Sequence, residues 1–223
     1  MRKQRYLTLE KRLSVPFWTK LAVPLASIVA GFLFSAIFLL ISGESPIEVY
    51  SVMFEGAFGS AYGLSETVVK MIPLMIISVG VAFAFKMQIW NAGGEGQLHI
   101  GAAAATYVVL HLNGCSRFVT VLLAFLAAFI CAGIYGLIPA ILKVKWKVNE
   151  LITCLMLNYV ATFFVAWLIQ GPWKDPTGFA FPRTRKIPSA GELTTFFGTR
   201  IHTGLIIGLA IALALWFVIY KTR

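Results

Sequence analysis

The sequence predicts an all-α, polytopic membrane protein of about six transmembrane helices, and three observations carry that prediction. Hydrophobic residues make up 59% of the chain and charged residues 13%, against about half and about a quarter in a soluble domain. The apolar residues are gathered into runs long enough to cross about 30 Å of hydrocarbon. Basic residues stand at the ends of several of those runs, as the positive-inside tendency requires. Apolar surface on this scale is acceptable only where lipid replaces water as the solvent.

Taken in chain order, the opening MRKQRYLTLEKR is polar and basic, with Arg2, Lys3, Arg5, Lys11 and Arg12. Residues 1–20 are expected to be a cytoplasmic N-terminus. Leu21 to Gly43 is free of charge and exceeds the roughly 7–15 apolar residues of a secretory signal, so it is a first span that is retained. Glu44 to Lys70 is mixed in character. Ile47, Tyr50, Met53, Phe54 and Ala57 recur there at helical spacing, which predicts an amphipathic helix at the interface. A second span is expected from near Met71 to about Trp90, with Lys86 close enough to its end to snorkel. NAGGEGQ follows at 91–97, then a third apolar run to about Leu112. Span four covers Phe118 to Leu142 and ends in Lys143, Lys145 and Lys147. Span five covers Leu151 to Gln170, and span six Gly204 to Tyr220. Between them, 171–203 is a polar loop with Pro172, Pro176, Pro182 and Pro188. The whole of 1–223 reads as one transmembrane domain.

Charge gives an orientation. With the N-terminus in the cytoplasm, Lys86, the Lys143/Lys145/Lys147 cluster, Lys221 and Arg223 share the cytoplasmic side. The loop 171–203 then lies outside the cell despite Arg183, Arg185, Lys186 and Arg200, a mild conflict, because long loops obey the rule less strictly. The net charge is +10, from 19 Lys and Arg against 9 Asp and Glu. Cytoplasmic loops facing anionic lipid account for such an excess. A nucleic-acid partner is not expected, since no basic stripe interleaves with aromatics on a soluble module.

Two segments are unusual for membrane helices. In Asn91-Ala92-Gly93-Gly94-Glu95-Gly96-Gln97, three glycines let the backbone turn or unwind, and Glu95 falls near the positive end of the helix that follows. Two readings stand: a re-entrant element beside a translocation path, or a tight cytoplasmic turn in which Glu95 caps a helix. A phosphate-cradling loop fits poorly, as no Lys-Ser/Thr follows and no strand precedes. In the second segment, Asn149 and Glu150 open a helix whose free N–H groups they can satisfy. Thr153 and Asn158 then lie inside an apolar helix. Asn158 needs partners there, either as interhelical glue or as a pathway residue.

The remaining reactive residues give no chemistry. Cys115, Cys131 and Cys154 form no CxxC and read as small hydrophobes. His99, His111 and His202 fall in separate segments without ligand spacing, so no metal site and no cofactor is expected. Nucleophile motifs and paired intramembrane carboxylates are missing, which disfavours an intramembrane enzyme and a proton pump. A passive path remains, or one powered from outside the chain.

Pro73 to Ala103 (PLMIISVGVAFAFKMQIWNAGGEGQLHIGAA) resembles a segment of bacterial ABC-importer permeases for nucleosides and simple sugars, relatives of the ribose and branched-chain amino-acid permeases. Asn91, Gly93, Glu95, Gly96 and Gln97 match its Asn-Ile-Gly-Ala/Gly-Glu-Gly-Gln pattern, with Ala92 where Ile is usual. Val148-Asn149-Glu150 and Leu155-Met156-Leu157-Asn158-Tyr159 match a second segment in the expected order. The resemblance implies a non-enzymatic permease subunit paired with a second permease subunit, the same chain or a sister. It also implies cytoplasmic ABC ATPase subunits, since this chain has no Walker motif, and an extracytoplasmic solute-binding lipoprotein. Asn91, Gly93, Glu95, Gly96, Gln97 and Asn158 become candidates for the path or its gate. Lys143, Lys145, Lys147, Asn149 and Glu150 become a cytoplasmic loop. The chain is expected to be the N-terminal part of a longer permease in the bacterial inner or plasma membrane. Two other classes stay open: an ion-gradient-driven secondary transporter with a broken helix at Gly93–Gly96, and a membrane assembly protein that carries nothing.

Overall fold

A computed structural model describes residues 16–112, 114–178, 181–196 and 198–221. The basic N-terminal residues and Arg223 lie outside the described residues, and so does most of the expected cytoplasmic segment 1–20. The chain divides into two compact units, one ending at Ser60 and one beginning at Ala61.

The first unit is a long helix and a short one. Helix α1, Phe17–Ile41, is apolar all round and buries no residue. It stops where Gly43 takes φ +82° and its N–H returns to the Leu40 carbonyl, a left-handed ending that glycine permits without steric cost. Helix α2, Pro46–Phe58, starts with proline in its first turn and Glu48 near its positive end. Tyr50 donates to the Phe32 carbonyl at 2.7 Å, and the two rings meet edge to face at 5.2 Å. Of the expected apolar stripe on α2, Ile47, Met53 and Phe54 stay exposed, as an interfacial helix requires.

The second unit holds α3 (Ala61–Lys86), α4 (Gly94–His111), α5 (Arg117–Trp146), α6 (Glu150–Gln170) and α7 (Gly204–Lys221). Within it α4 packs against α5 and α6, and α3 against α7. Small residues allow the close approaches, as usual between membrane helices. A Cβ on Gly101 of α4 would lie 3.4 Å from both the Ala128 carbonyl oxygen and the Ala132 Cβ of α5.

Five of these helices are long and apolar enough to cross a membrane: α1, α3, α5, α6 and α7. None is more than 17% buried over its most apolar window, and large side chains such as Phe129 and Phe163 are exposed. Such a surface belongs in lipid, so the chain is a multi-pass membrane protein. The remaining one of the six expected spans, α4, has 18 residues, about 27 Å at 1.5 Å per residue, but is diluted by Glu95, Gln97, His99 and glycines. Its neighbours on both sides relieve it of the apolar composition that lipid contact demands. The span expected from Met71 begins ten residues earlier, at Ala61. Glu66 and Lys70 mask that extension in hydropathy, but Glu66 pairs with Arg200 at 2.9 Å.

Described residues of the loop 171–203 pack onto the helix ends. Arg117, opening α5, donates from its guanidinium to the Glu192 carbonyl. A 3-10 turn at Ser189–Gly191 brings Gly191 against Val109 near the end of α4. Asp175 and Arg183 pair at 3.4 Å beside the isolated bridge between Lys174 and Thr184. At the opposite end of the unit, Lys86 donates from Nζ to the Ile219 carbonyl of α7 at 2.8 Å.

Candidate functional site

Between α3 and α4 the backbone is irregular and packs against α6. After Lys86 the chain turns through Gln88 at φ +61° and does not resume a helix until Gly94. Asn91 closes the turn on itself, its Oδ1 accepting from the Gly93 N–H at 2.9 Å and standing 3.8 Å from the Cys154 thiol.

Asn158 of α6 completes the arrangement. Its Nδ2 donates to the Ala92 carbonyl at 3.0 Å, and its Oδ1 accepts from the Gly96 N–H at 2.9 Å. Gly96 holds the third position of α4, and the residue before that helix, Gly93, offers no capping side chain. A helix start leaves its first N–H groups without intrahelical partners. The carboxamide of a neighbouring helix here does the work that an N-cap residue normally does from its own chain.

Glycine is required for that contact. A Cβ on Gly96 would lie 2.8 Å from Asn158 Oδ1 and 3.2 Å from both Asn158 Cα and the Tyr135 ring. A Cβ on Gly93 would lie 3.3 Å from Cys154 Sγ. Cys154 and Asn158 are one helical turn apart, so the two glycines lie against a single stripe of α6. Tyr135 of α5 donates to the Leu157 carbonyl at 2.6 Å and holds α5 against α6 behind the contact.

Helical rise places this joint in depth. Asn158 lies about 12 Å beyond the first residue of α6, at 1.5 Å per residue. The end of the loop, residues 91–93, is half-buried or buried against the helices, while residues 87–90 are exposed; non-helical backbone inside a membrane is tolerated where it packs on protein in this way.

Beside it is a cavity of about 540 Å³ lined by α3, α4, α5 and the loop, within the size range of small-molecule sites. Its walls are apolar or small, among them Gly80, Ala105, Phe125 and Ala128, and its polar side chains are Asn91 and Gln97. A Cβ on Gly136 of α5 would lie 2.8 Å from Gln97 Nε2, so Gly136 makes the room that the carboxamide occupies. Carboxamides donate and accept together, which suits hydroxyl-bearing or heterocyclic solutes.

The sequence candidates thus separate. Asn91, Gly93, Gly96, Gln97 and Asn158 come together at the loop. Asn91 and Gln97 line the cavity, whereas Asn158 acts as interhelical clasp. Glu95 is exposed in the first turn of α4 and is not among the residues lining the cavity. Lys143 and Lys145 end α5, and Lys147, at φ +54°, caps it. Asn149 caps α6, accepting from Leu151 N–H at 2.9 Å, while Lys143 and Glu150 pair across the turn. The histidines stay apart: His111 Nδ1 meets the Tyr107 carbonyl at 2.8 Å, and His202 Nδ1 accepts from the Gly204 N–H. Among the described residues, no group of three or more His, Cys, Asp or Glu stands ready to hold a metal. Sequence reading missed the contributions of Gly80, Phe125 and Ala128 to the cavity. The one signal was the small-residue spacing Gly101/Ala105 and Ala128/Ala132, and that reports close packing before it reports a cavity.

The chain is similar in sequence to known permeases. Residues 63–223 match the family described as branched-chain amino acid transport system / permease component. The chain is 32% identical to the glucose ABC transporter permease protein TsgB13 of Haloferax volcanii, over 97% of this chain and 60% of that one. It is 34% identical to the guanosine ABC transporter permease protein NupP of Bacillus subtilis, over 91% of this chain and 58% of that one. With the nucleoside ABC transporter permease protein NupB of Lactococcus lactis it shares 35% identity, over 68% of this chain and 42% of the relative. The chain thus spans about 60% or less of the length of these relatives. No solved structure matches it.

Proposed function

Since the chain belongs to the family of branched-chain amino acid transport system permease components, we propose that it is the membrane-spanning subunit of an ATP-driven importer for nucleosides or related sugar-like solutes. The observation that carries the proposal is the inset loop beside a cavity whose polar side chains, Asn91 and Gln97, are both carboxamides. Nucleosides and sugars present several hydroxyls and ring heteroatoms but no obligatory charge. A wall that offers donors and acceptors without a fixed charge suits them, and relatives named for guanosine, nucleosides and glucose agree.

In this reading Asn91 and Gln97 contact the solute. Gly93, Gly96 and Asn158 hold the loop that presents them, and Glu95 acts at the rim as a gate residue outside the cavity. The end bearing Lys86, Lys143, Lys145, Lys147 and Lys221 faces the cytoplasm, and the loop 171–203 faces outward. Residues 1–223 serve as one permease domain that pairs with a second permease subunit. Cytoplasmic ATPase subunits supply the energy, and a solute-binding lipoprotein delivers the solute to the outer face.

The test is uptake of labelled guanosine, adenosine and glucose by cells carrying the intact gene, against a deletion strain, with ATP depleted or with an ionophore added. Uptake that needs the gene and ATP and survives the ionophore supports the proposal. Gene-dependent uptake that survives ATP depletion and collapses with the ionophore would assign the chain to the ion-driven class instead.

A further inference from the structure

A second groove, of about 610 Å³, runs along the α3–α7 pair. Its length is apolar, with Val79 and Ala82 from α3 facing Leu209, Ala212 and Leu213 from α7. One end is different. There Lys86 places its ammonium 4.2 Å from the centroid of the Tyr220 ring while donating to the Ile219 carbonyl. Trp216, one turn back on α7, stands with its ring 6.1 Å from that of Tyr220, and Lys221 follows in the same last turn.

We propose that this groove binds an anionic phospholipid, with an acyl chain along Val79, Ala82, Leu209 and Leu213 and the phosphate on Lys86. The apolar length excludes a soluble ion as occupant, because free phosphate gains nothing from it. The charged end distinguishes the lipid by headgroup. Helix α3 finishes here, and its free carbonyls would repel an anion. Lys86 gives one of its three N–H donors to the Ile219 carbonyl, and the others remain for a phosphate. The Trp–Tyr pair belongs to the headgroup level of a bilayer, where amphipathic rings settle, so the cation stands at the depth of lipid phosphates. Basic pockets between membrane helices select anionic headgroups in this way. The inference goes beyond the transport reading and stands without it.

Native mass spectrometry of the purified full chain, released from detergent with equal amounts of phosphatidylglycerol and phosphatidylcholine, tests the proposal. The wild-type chain is expected to retain phosphatidylglycerol in preference, roughly five-fold for the one lysine engaged. Lys86→Met should bring retention down to the phosphatidylcholine level, while Lys145→Met, at the end of another helix, should not change it. Ala82→Phe leaves the contacts of Lys86 intact and fills the groove, so it should lose the bound lipid as well, and it decides the matter if Lys86→Met does not fold. Equal retention of the two lipids by the wild type overturns the proposal, as does undiminished phosphatidylglycerol binding by Ala82→Phe. A dimer free of either lipid would assign the groove to a second copy of the chain and overturn it too.

Discussion

Asn158, in the middle of an apolar helix, caps a helix that is not its own: its Oδ1 accepts from the Gly96 N–H at 2.9 Å while its Nδ2 holds the Ala92 carbonyl at 3.0 Å. One carboxamide thereby fixes both sides of the break between α3 and α4, and with it the position of Asn91 and Gln97 in the cavity wall.

Removing that carboxamide leaves a buried carbonyl and a buried N–H without partners, at a cost of about 1–3 kcal/mol. Asn158→Leu, close in volume, is therefore expected to lower the unfolding temperature in detergent and to reduce uptake together. Asn158→Leu with an unchanged melting temperature would show that the loop is held by something else.

Gly96→Ala tests the same joint from the other side. The new Cβ must displace the Asn158 side chain and press on its backbone, an overpacking of about 1–3 kcal/mol. Gly31→Ala on α1 has open space around it and is expected to leave the melting temperature unchanged or raise it slightly, since alanine favours the helix. The contrast between the two variants, measured in one detergent, separates the contact from a general intolerance of side chains at glycine.

These residues also show what could be read in advance. The bounds of α6 and α7 follow from hydropathy and from Asn149, which caps α6 as its residue type suggests. The start of α3 does not, because Glu66 counts against a span until its partner Arg200, far along the chain, is known. At the loop, the glycines announced an irregular backbone, and the need of Asn158 for partners was plain from its place in an apolar helix. Which partners it takes, the Gly96 N–H and the Ala92 carbonyl, is a tertiary fact. The cavity could not be read, since its walls come from three helices whose relative rotation no single segment encodes. The exposure of Glu95 was hidden for the same reason, as its position in the motif is compatible with either face of α4.

In the loop 171–203, Asp175 accepts from the hydroxyl and the N–H of Thr177 at 2.7 and 3.0 Å. The Thr177 hydroxyl foremost, then its N–H, and Arg183 nearby hold the carboxyl below the usual carboxylate range. A depressed folded value means that the contribution is present above the unfolded value and is lost as pH falls through the folded one. Protection of residues 174–178 from hydrogen exchange, corrected for intrinsic rates, should persist from neutral pH into the ordinary carboxylate range and fall only below it. Asp175→Asn should be less protected at neutral pH and show no such transition.

Gly80 offers a way to close the cavity without touching the clasp. It lines the space from α3, and no atom stands within 4 Å of a Cβ placed on it. Gly80→Leu is expected to insert and melt like the wild type and to lose most uptake by occupying solute volume. Full uptake by a well-folded Gly80→Leu chain would place the path elsewhere.

The most direct measurement is the initial rate of labelled guanosine and glucose uptake by energised cells that carry the intact gene, either wild type or Gln97→Leu, at matched protein levels in the membrane. Gln97→Leu keeps the bulk of the side chain and removes its donors and acceptors. Wild-type uptake of at least one of these solutes, dependent on the gene and on ATP and reduced about ten-fold or more by Gln97→Leu, is the expected result, since a polar group left unpaired in transit costs roughly 1–3 kcal/mol. Equal rates for the two chains, or no gene-dependent uptake of either solute, would contradict the assignment of this cavity to the path of a nucleoside or sugar importer.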